Sequence, residues 1–222
     1  MDQPVQDFAE ARNRMVDSQI RPNKVTDPRI IAAMRRIPRE HFLPPQLVAM
    51  AYLDKDVPLG GGRYLIEPMV IARLAQLTAA RAGERALVVA AGSGYGAALL
   101  AACGARVTAL EEDGPLQAIA HRVLAELAPS VSLVAGPMTA GWSSAAPYDV
   151  ILIEGAVQEI PQAIGEQLHQ QSGRLVTVCT GTGRLGQAIL AEATPAGLRT
   201  QPMFDCATPP IPCFTQSPGF VF

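Results

Sequence analysis

RALVVAAGSGYGAALLAAC, running from Arg85 to Cys103, is the stretch that decides how this sequence folds. Arg85–Ala91 is a short, unbroken apolar run of the kind that forms a strand buried on both faces. Gly92-Ser93-Gly94 breaks it, and a helical stretch, Gly96–Cys103, follows. The same alternation repeats downstream. Arg106–Leu110 reads as a strand ending in Glu111-Glu112-Asp113, Pro115–Leu127 as a helix, and Val131–Ala135 as a strand. Asp149–Ile153 (DVILI) reads as a fourth strand, Pro161–His169 as a helix, and Arg174–Thr180 (RLVTVCT) as a fifth strand. Buried strands alternating with helices predict an α/β, Rossmann-like fold with a mostly parallel, doubly wound sheet. After Gly183 the alternation stops; Gln187–Glu192 and Leu198–Phe204, joined by Pro195-Ala196-Gly197, predict a closing antiparallel strand pair.

Upstream, residues 1–80 read as an N-terminal helical extension. Phe8, Ala11, Met15 and Ile20 fall at helical spacing, and Arg21-Pro22-Asn23 stops that helix. Thr26-Asp27-Pro28 offers a cap and an early proline for a second helix, Arg29–Arg36, which Pro38 ends. Pro44-Pro45 and Gly60-Gly61-Gly62 bracket a connection around Tyr52 and Asp54, and Pro68 opens a helix with Val70, Ile71, Leu74 and Leu77 on one face. The expected organisation is one structural domain: this extension, a core over residues 81–206, and a Pro-rich apolar tail over residues 207–222. The final Phe220-Val221-Phe222 is expected to dock, either on this domain or on a second copy in a homodimer.

Composition narrows the function classes. Of 222 residues, 49% are hydrophobic and 17% charged, which suits a packed core rather than a disordered chain. A net charge of −2 argues against a nucleic-acid partner. No apolar run approaches the roughly 20 residues that span a bilayer. Met1-Asp2-Gln3-Pro4 lacks the basic-then-apolar order of a secretory signal, so the expected setting is soluble and cytoplasmic. Cys103, Cys179, Cys206 and Cys213 show no CxxC spacing, and His41, His121 and His169 lie far apart, so no metal site is expected.

The glycine turn carries the chemistry. Glycines there let backbone approach a ligand closely, and the next helix offers free N–H groups at its start. Ala90, Ala91, Gly92, Ser93 and Gly94 are the candidate cofactor-contacting residues. Glu111, closing the second strand of the alternation, is placed to accept hydrogen bonds from two ribose hydroxyls. The plainer reading, glycines serving only a tight strand-to-helix turn, stands beside it. A nicotinamide dehydrogenase favours Gly-x-Gly-x-x-Gly, which Ala90–Gly96 does not supply. The closing antiparallel pair points instead to the class I methyltransferase variant of the fold.

A more specific resemblance rests on particular residues. Met15–Ile20 (MVDSQI), Asp27-Pro28-Arg29-Ile30, Ala33-Met34, Ile37–Pro44 (IPREHFLP), Ala51-Tyr52-Leu53-Asp54 and Val57-Pro58-Leu59 resemble the N-terminal signature of the protein-L-isoaspartate O-methyltransferases. Gly92–Tyr95, Glu111, Tyr148–Ile153, Ile160-Pro161 and Gly173–Val176 keep the order of that family's catalytic core. The likeness spans roughly residues 14–190, and the tail resembles a divergent bacterial branch. It implies methyl transfer from S-adenosyl-L-methionine to an isoaspartyl carboxylate of a protein or peptide.

This sequence departs from the family at four places. The acid of the first strand falls on Val88, the first turn glycine on Ala90, the adenine-side acid on Pro137, and the substrate-facing Ser on Ile66. The catalytic residue is therefore left unassigned. Ala90 is tolerated if its φ stays negative. Val88 and Pro137 each remove a charge-assisted hydrogen bond worth about 1.5–3 kcal/mol. Arg63 and Tyr64 are candidates for a replacement pocket, with Arg63 pairing a carboxylate, against the reading of an exposed Arg and a packed Tyr. Glu67 reads as a helix-cap acid, Glu154 as an altered residue at a strand end, and Trp142 as packing. Two functional readings follow: a methyltransferase acting on protein carboxylates, and a degenerate, non-catalytic paralogue serving as a binding or scaffolding module.

Overall fold

The computed structural model describes residues 7–181 and 185–215. Asp7 opens α1 (Phe8–Met15) by accepting the N–H groups of Ala9 and Glu10, each at 3.0 Å. A π turn (Val16–Ile20) and a 3₁₀ turn (Arg21–Asn23) extend it, and Lys24, at φ +65°, stops it. Asp27 caps α2 (Pro28–Arg36) through the Arg29 N–H at 2.8 Å, with Pro28 in the first turn.

One expectation needs correcting here. The connection before Pro68 contains an antiparallel hairpin, β1 (Val57–Gly60) and β2 (Arg63–Leu65). Strands of four and three residues are too short to show an alternation in the sequence. Helix α3 (Pro68–Leu77) follows, with Glu67 at its N-cap position. The Glu67 side chain makes no capping bond; its own N–H instead reaches Asp56 Oδ1 at 2.8 Å.

The main sheet has seven strands in the order β5-β4-β3-β6-β7-β8-β9. They are β3 (Arg85–Val89), β4 (Arg106–Glu111), β5 (Ser132–Ala135), β6 (Val150–Val157), β7 (Arg174–Cys179), β8 (Gln187–Thr194) and β9 (Gly197–Asp205). The first five in spatial order run parallel; β8 and β9 close the edge antiparallel, as their sequence predicts. Helices α4 (Tyr95–Ala102), α5 (Gly114–Leu127) and α6 (Gln162–Gly165) complete the crossovers. α6 is far shorter than the Pro161–His169 expectation. Backbone groups of Gln167 and His169 are bonded to Tyr148, at 2.8 Å each, and so leave the helix.

The strands alternate between two apolar layers. Ala86 and Val88 join the larger cluster with Met15, Ile20, Met34, Phe42 and Leu74, so the N-terminal helices pack directly on the sheet. Leu87 and Val89 face the other layer, with Leu110, Ile151, Ile153 and Ile211. Helix α4 is buried from Tyr95 through Leu100, which explains its lack of a polar face.

The described part of the tail docks on its own domain. Pro209 O accepts the Ala156 N–H at 3.1 Å, and the Ile211 N–H donates back to Ala156 O at 2.8 Å. Val178 of β7 flanks Ala156 on one side, so the tail lies on the β3 side, beyond Val89 where β3 ends. Ile211 is 2% exposed and sits where a side chain on Gly155 would have to go. Phe220-Val221-Phe222 lies outside the described residues. Replacing Ile211 by Ala is expected to destabilise the fold by about 2–5 kcal/mol, read as a shifted urea midpoint with an unchanged slope. A change under about 0.5 kcal/mol would mean that the tail does not share the core.

Candidate functional site

In an open α/β sheet, ligands bind beyond the carboxyl ends of the strands where the winding direction reverses. Here that point lies between β3 and β6, since β4 and β5 extend to one side and β7 to the other. The turn Ala90–Gly94, the end of β4 and the second half of β6 meet there. The six residues singled out in the sequence come together at it. Ala90, Ala91, Gly92, Ser93 and Gly94 form the turn, all of them buried, and Glu111 binds it directly.

Glu111 is fully buried, and its charge is answered from four directions. Oε2 accepts the Gly92 N–H at 2.7 Å, and Oε1 accepts those of Glu112 and Asp113 at 3.0 Å each. Arg63 Nη1 completes the set at 2.8 Å. The same guanidinium donates to Ala90 O at 2.9 Å and contacts Met138 Sδ at 3.5 Å. Arg63 is thus a buried residue, 6% exposed, which corrects the exposed-Arg reading; the carboxylate it pairs with is the chain's own. Its partner in that reading, Tyr64, points outward at 38% exposure, as alternation along β2 requires.

The turn also corrects the expectation for Ala90. Its φ is +57°, in the left-handed region, not negative. Gly92 (+57°) and Gly94 (+99°) share that sign, so the turn keeps a glycine-type backbone at a position that carries a methyl group.

Behind the turn lies a group of incompletely bonded polar atoms. Glu154 on β6 is buried against the Gly96 backbone at the start of α4, and its Oε2 lacks a well-formed hydrogen bond. Burial pushes its carboxyl up to about 8, against the pull of the Arg63 and Arg39 guanidinium groups. Ser93 Oγ and Tyr95 Oη are likewise without a well-formed partner. The Tyr95 ring packs edge-on to Phe42, centroids 5.2 Å apart, beneath the Arg39 guanidinium at 4.8 Å. Arg39 is itself fully buried, holding the carbonyls of Ala51, at 2.8 Å, and Ile66.

Val88 is wholly inside the sheet. Ile66 is 2% exposed and packs in the larger core cluster. Pro137 is exposed and leads into the turn Met138–Ala140, whose first N–H bonds to Glu112 Oε2 at 3.1 Å. Trp142 packs over Gly136, in keeping with the packing role read for it. Sequence reasoning missed that the β1–β2 hairpin and the tail cover the site. The three consecutive glycines before Arg63 were the available sign of a tight turn there. Among the described residues there is no cluster of His, Cys, Asp and Glu suited to a metal ion, and no helix is long and apolar enough to cross a membrane.

A family model described as Protein-L-isoaspartate(D-aspartate) O-methyltransferase matches residues 10–191. The protein-L-isoaspartate O-methyltransferase of Methylorubrum extorquens (strain PA1) is 42% identical over 188 residues, covering 85% of this chain and 81% of the relative. Its namesake in Gloeobacter violaceus is 34% identical over 198 residues, covering 89% and 96%. A solved protein-L-isoaspartate O-methyltransferase superposes with a TM-score of 0.77 at 24% identity, covering 90% of this chain and 65% of that one. A structure from Plasmodium falciparum, in complex with S-adenosyl-L-homocysteine, gives 0.75 at 16% identity, covering 90% and 97%. Both structures share this chain's fold.

Two stability measurements probe the site. Ala90→Gly is expected to stabilise by about 0.5–1 kcal/mol, because relief of the left-handed alanine exceeds the extra entropy of glycine; destabilisation would contradict the φ given above. For Glu154, the folded chain holds a proton from its ordinary value of 4.5 up to about 8 while the unfolded chain has released it. Stability therefore falls as pH rises through that window, by at most about 1.4 kcal/mol per unit. Glu154→Gln should remove that slope in urea titrations between pH 5 and 8; parallel curves for the two proteins would contradict it.

Proposed function

Because this chain belongs to the protein-L-isoaspartate O-methyltransferase family, we propose that it transfers the methyl group of S-adenosyl-L-methionine to the side-chain carboxylate of isoaspartyl residues in proteins or peptides. The observation that carries this reading is Glu111 bonded to the Gly92 N–H at the reversal point of the sheet, an acid and a glycine turn in one place.

The donor set suits an adenosyl ligand. Glu111 supplies a carboxylate for ribose hydroxyls, and Ala90, Ala91, Gly92, Ser93 and Gly94 supply the turn that backs the rest of the molecule. Ser93 Oγ, Tyr95 Oη and Glu154 Oε2, buried and poorly bonded beside that turn, are the kind of polar atoms a ligand satisfies. Fit also requires space, and Arg63, Leu59 and the tail crowd the turn; the ideal Cβ position of Gly92 is 3.7 Å from Leu59 Cδ1 and 4.0 Å from Arg63 Nη2.

When bound, S-adenosyl-L-methionine supplies an electrophilic methyl group. This chain's residues hold the two reactants in line and keep water away; a carboxylate nucleophile needs no general base. Loss of acids at Val88 and Pro137 shifts the burden of orienting the cofactor onto Glu111, the turn and the head of α4. With Ile66 in the core, the isoaspartyl carboxylate has to be received by other groups, and Tyr64, on the outward face of β2, is the adjacent candidate. The four cysteines are free thiols, which suits a reducing, cytoplasmic setting. The backbone bonds of Pro209 and Ile211 are spent on the chain's own β6, so a homodimer through the tail would not use them.

Incubating the full chain with methyl-labelled S-adenosyl-L-methionine and an isoaspartyl peptide should give a base-labile methyl ester. The matching aspartyl peptide should stay unlabelled. Equal labelling of the two peptides, or of neither, would refute the proposal.

A further inference from the structure

The position of Arg63 has a consequence for affinity. A carboxylate offers about four acceptor sites. On Glu111 they are unevenly filled: Oε1 takes the N–H groups of Glu112 and Asp113 together with Arg63 Nη1, and Oε2 takes the Gly92 N–H. The backbone donors belong to the turn and to the β4–α5 link, so they cannot leave without unfolding the site. Arg63 is the removable donor. It comes from the β1–β2 hairpin, a separate two-stranded sheet, so its departure breaks no bond of the main ladder.

The reach of the guanidinium is equally telling. It touches the turn through Ala90 O, the strand-end acid through Glu111, and the segment after β5 through Met138 Sδ. A nucleoside at the reversal point of such a sheet lies against the glycine turn and the strand-end acid. Its ribose cannot bond Glu111 while a planar cation lies across them.

Resting on the methyltransferase reading above, we propose that Arg63 is a built-in occupant of the nucleoside pocket. Its ion pair with Glu111 and a bound adenosyl group exclude one another, and Arg63 thereby sets the affinity for the cofactor. Binding breaks a buried pair before it makes new bonds, so this chain holds the cofactor more weakly than the same pocket without Arg63. Conversely, removing the guanidinium leaves Glu111 short of one donor, which ribose hydroxyls then supply.

The test is titration calorimetry of the full chain with S-adenosyl-L-homocysteine, comparing the parent protein with Arg63→Gln and Arg63→Lys. Ligand-free Arg63→Gln should melt below the parent, yet bind the ligand at least tenfold more tightly, with Arg63→Lys in between. Equal or weaker binding by a folded Arg63→Gln overturns the proposal. Should that variant fail to fold, nitrogen-15 spectra of the parent decide. The Arg63 guanidinium signal should be protected in the free protein and lose its protection at ligand saturation; protection retained at saturation overturns the proposal. If neither the parent nor any folded variant takes up the ligand at millimolar concentration, the cofactor reading falls and this inference with it. Binding by the parent with Arg63 still paired sinks this inference alone.

Discussion

A carboxylate sealed from solvent has to be neutralised by the chain around it, and the upper half of this structure is arranged around that demand at Glu111. The Gly92 N–H ties it to the turn after β3, and the Glu112 and Asp113 N–H groups tie it to the start of α5. Arg63 brings in the hairpin, and through Ala90 O the guanidinium also steadies the turn's left-handed first residue. The hairpin, the glycine turn and the β4–α5 junction, far apart in sequence, are thus held by one side chain. A breaking of the pair from either side would leave a buried charge with an incomplete shell, which is why such pairs hold geometry more firmly than they raise stability.

Much of this fold could be read in the sequence, and the reasons are physical. The five parallel strands are continuous apolar runs because both of their faces are covered, and such runs carry their own signal. Asp27 marks a helix start by a local bond that depends on nothing distant. The hairpin and the tail gave no such signal. The hairpin is placed by the Arg63–Glu111 pair and the tail by its bonds to Ala156, positions that no local pattern in residues 57–65 or 207–215 can reveal. The shortening of α6 has the same cause: the bridge between Tyr148 and Leu168 overrides a local preference for helix.

The candidate site was legible in part for a similar reason. Ala90–Gly94 and Glu111 occupy fixed offsets along the chain, so their meeting follows from topology alone. The pairing of Arg63 with Glu111 does not, because it depends on how a short hairpin is laid over the sheet. Glu154 was visible only as an unusual residue at a strand end. That it is held protonated by burial depends on packing from α4, and of the two guanidinium groups that oppose it one, Arg39, reaches in from the N-terminal region.

The cover of the site joins segments far apart in the chain: Pro212 rests on Gly62, and Ile211 fills the space above Gly155. During synthesis the hairpin, the glycine turn, Glu111 and the parallel strands are all made before the tail segment that completes the roof. The nascent domain therefore passes through a stage with an uncovered crevice and exposed apolar strand ends, the kind of surface on which chaperones and aggregation compete. Closing it depends on a contact of very long sequence separation, which places the roof among the last parts of the molecule to become ordered.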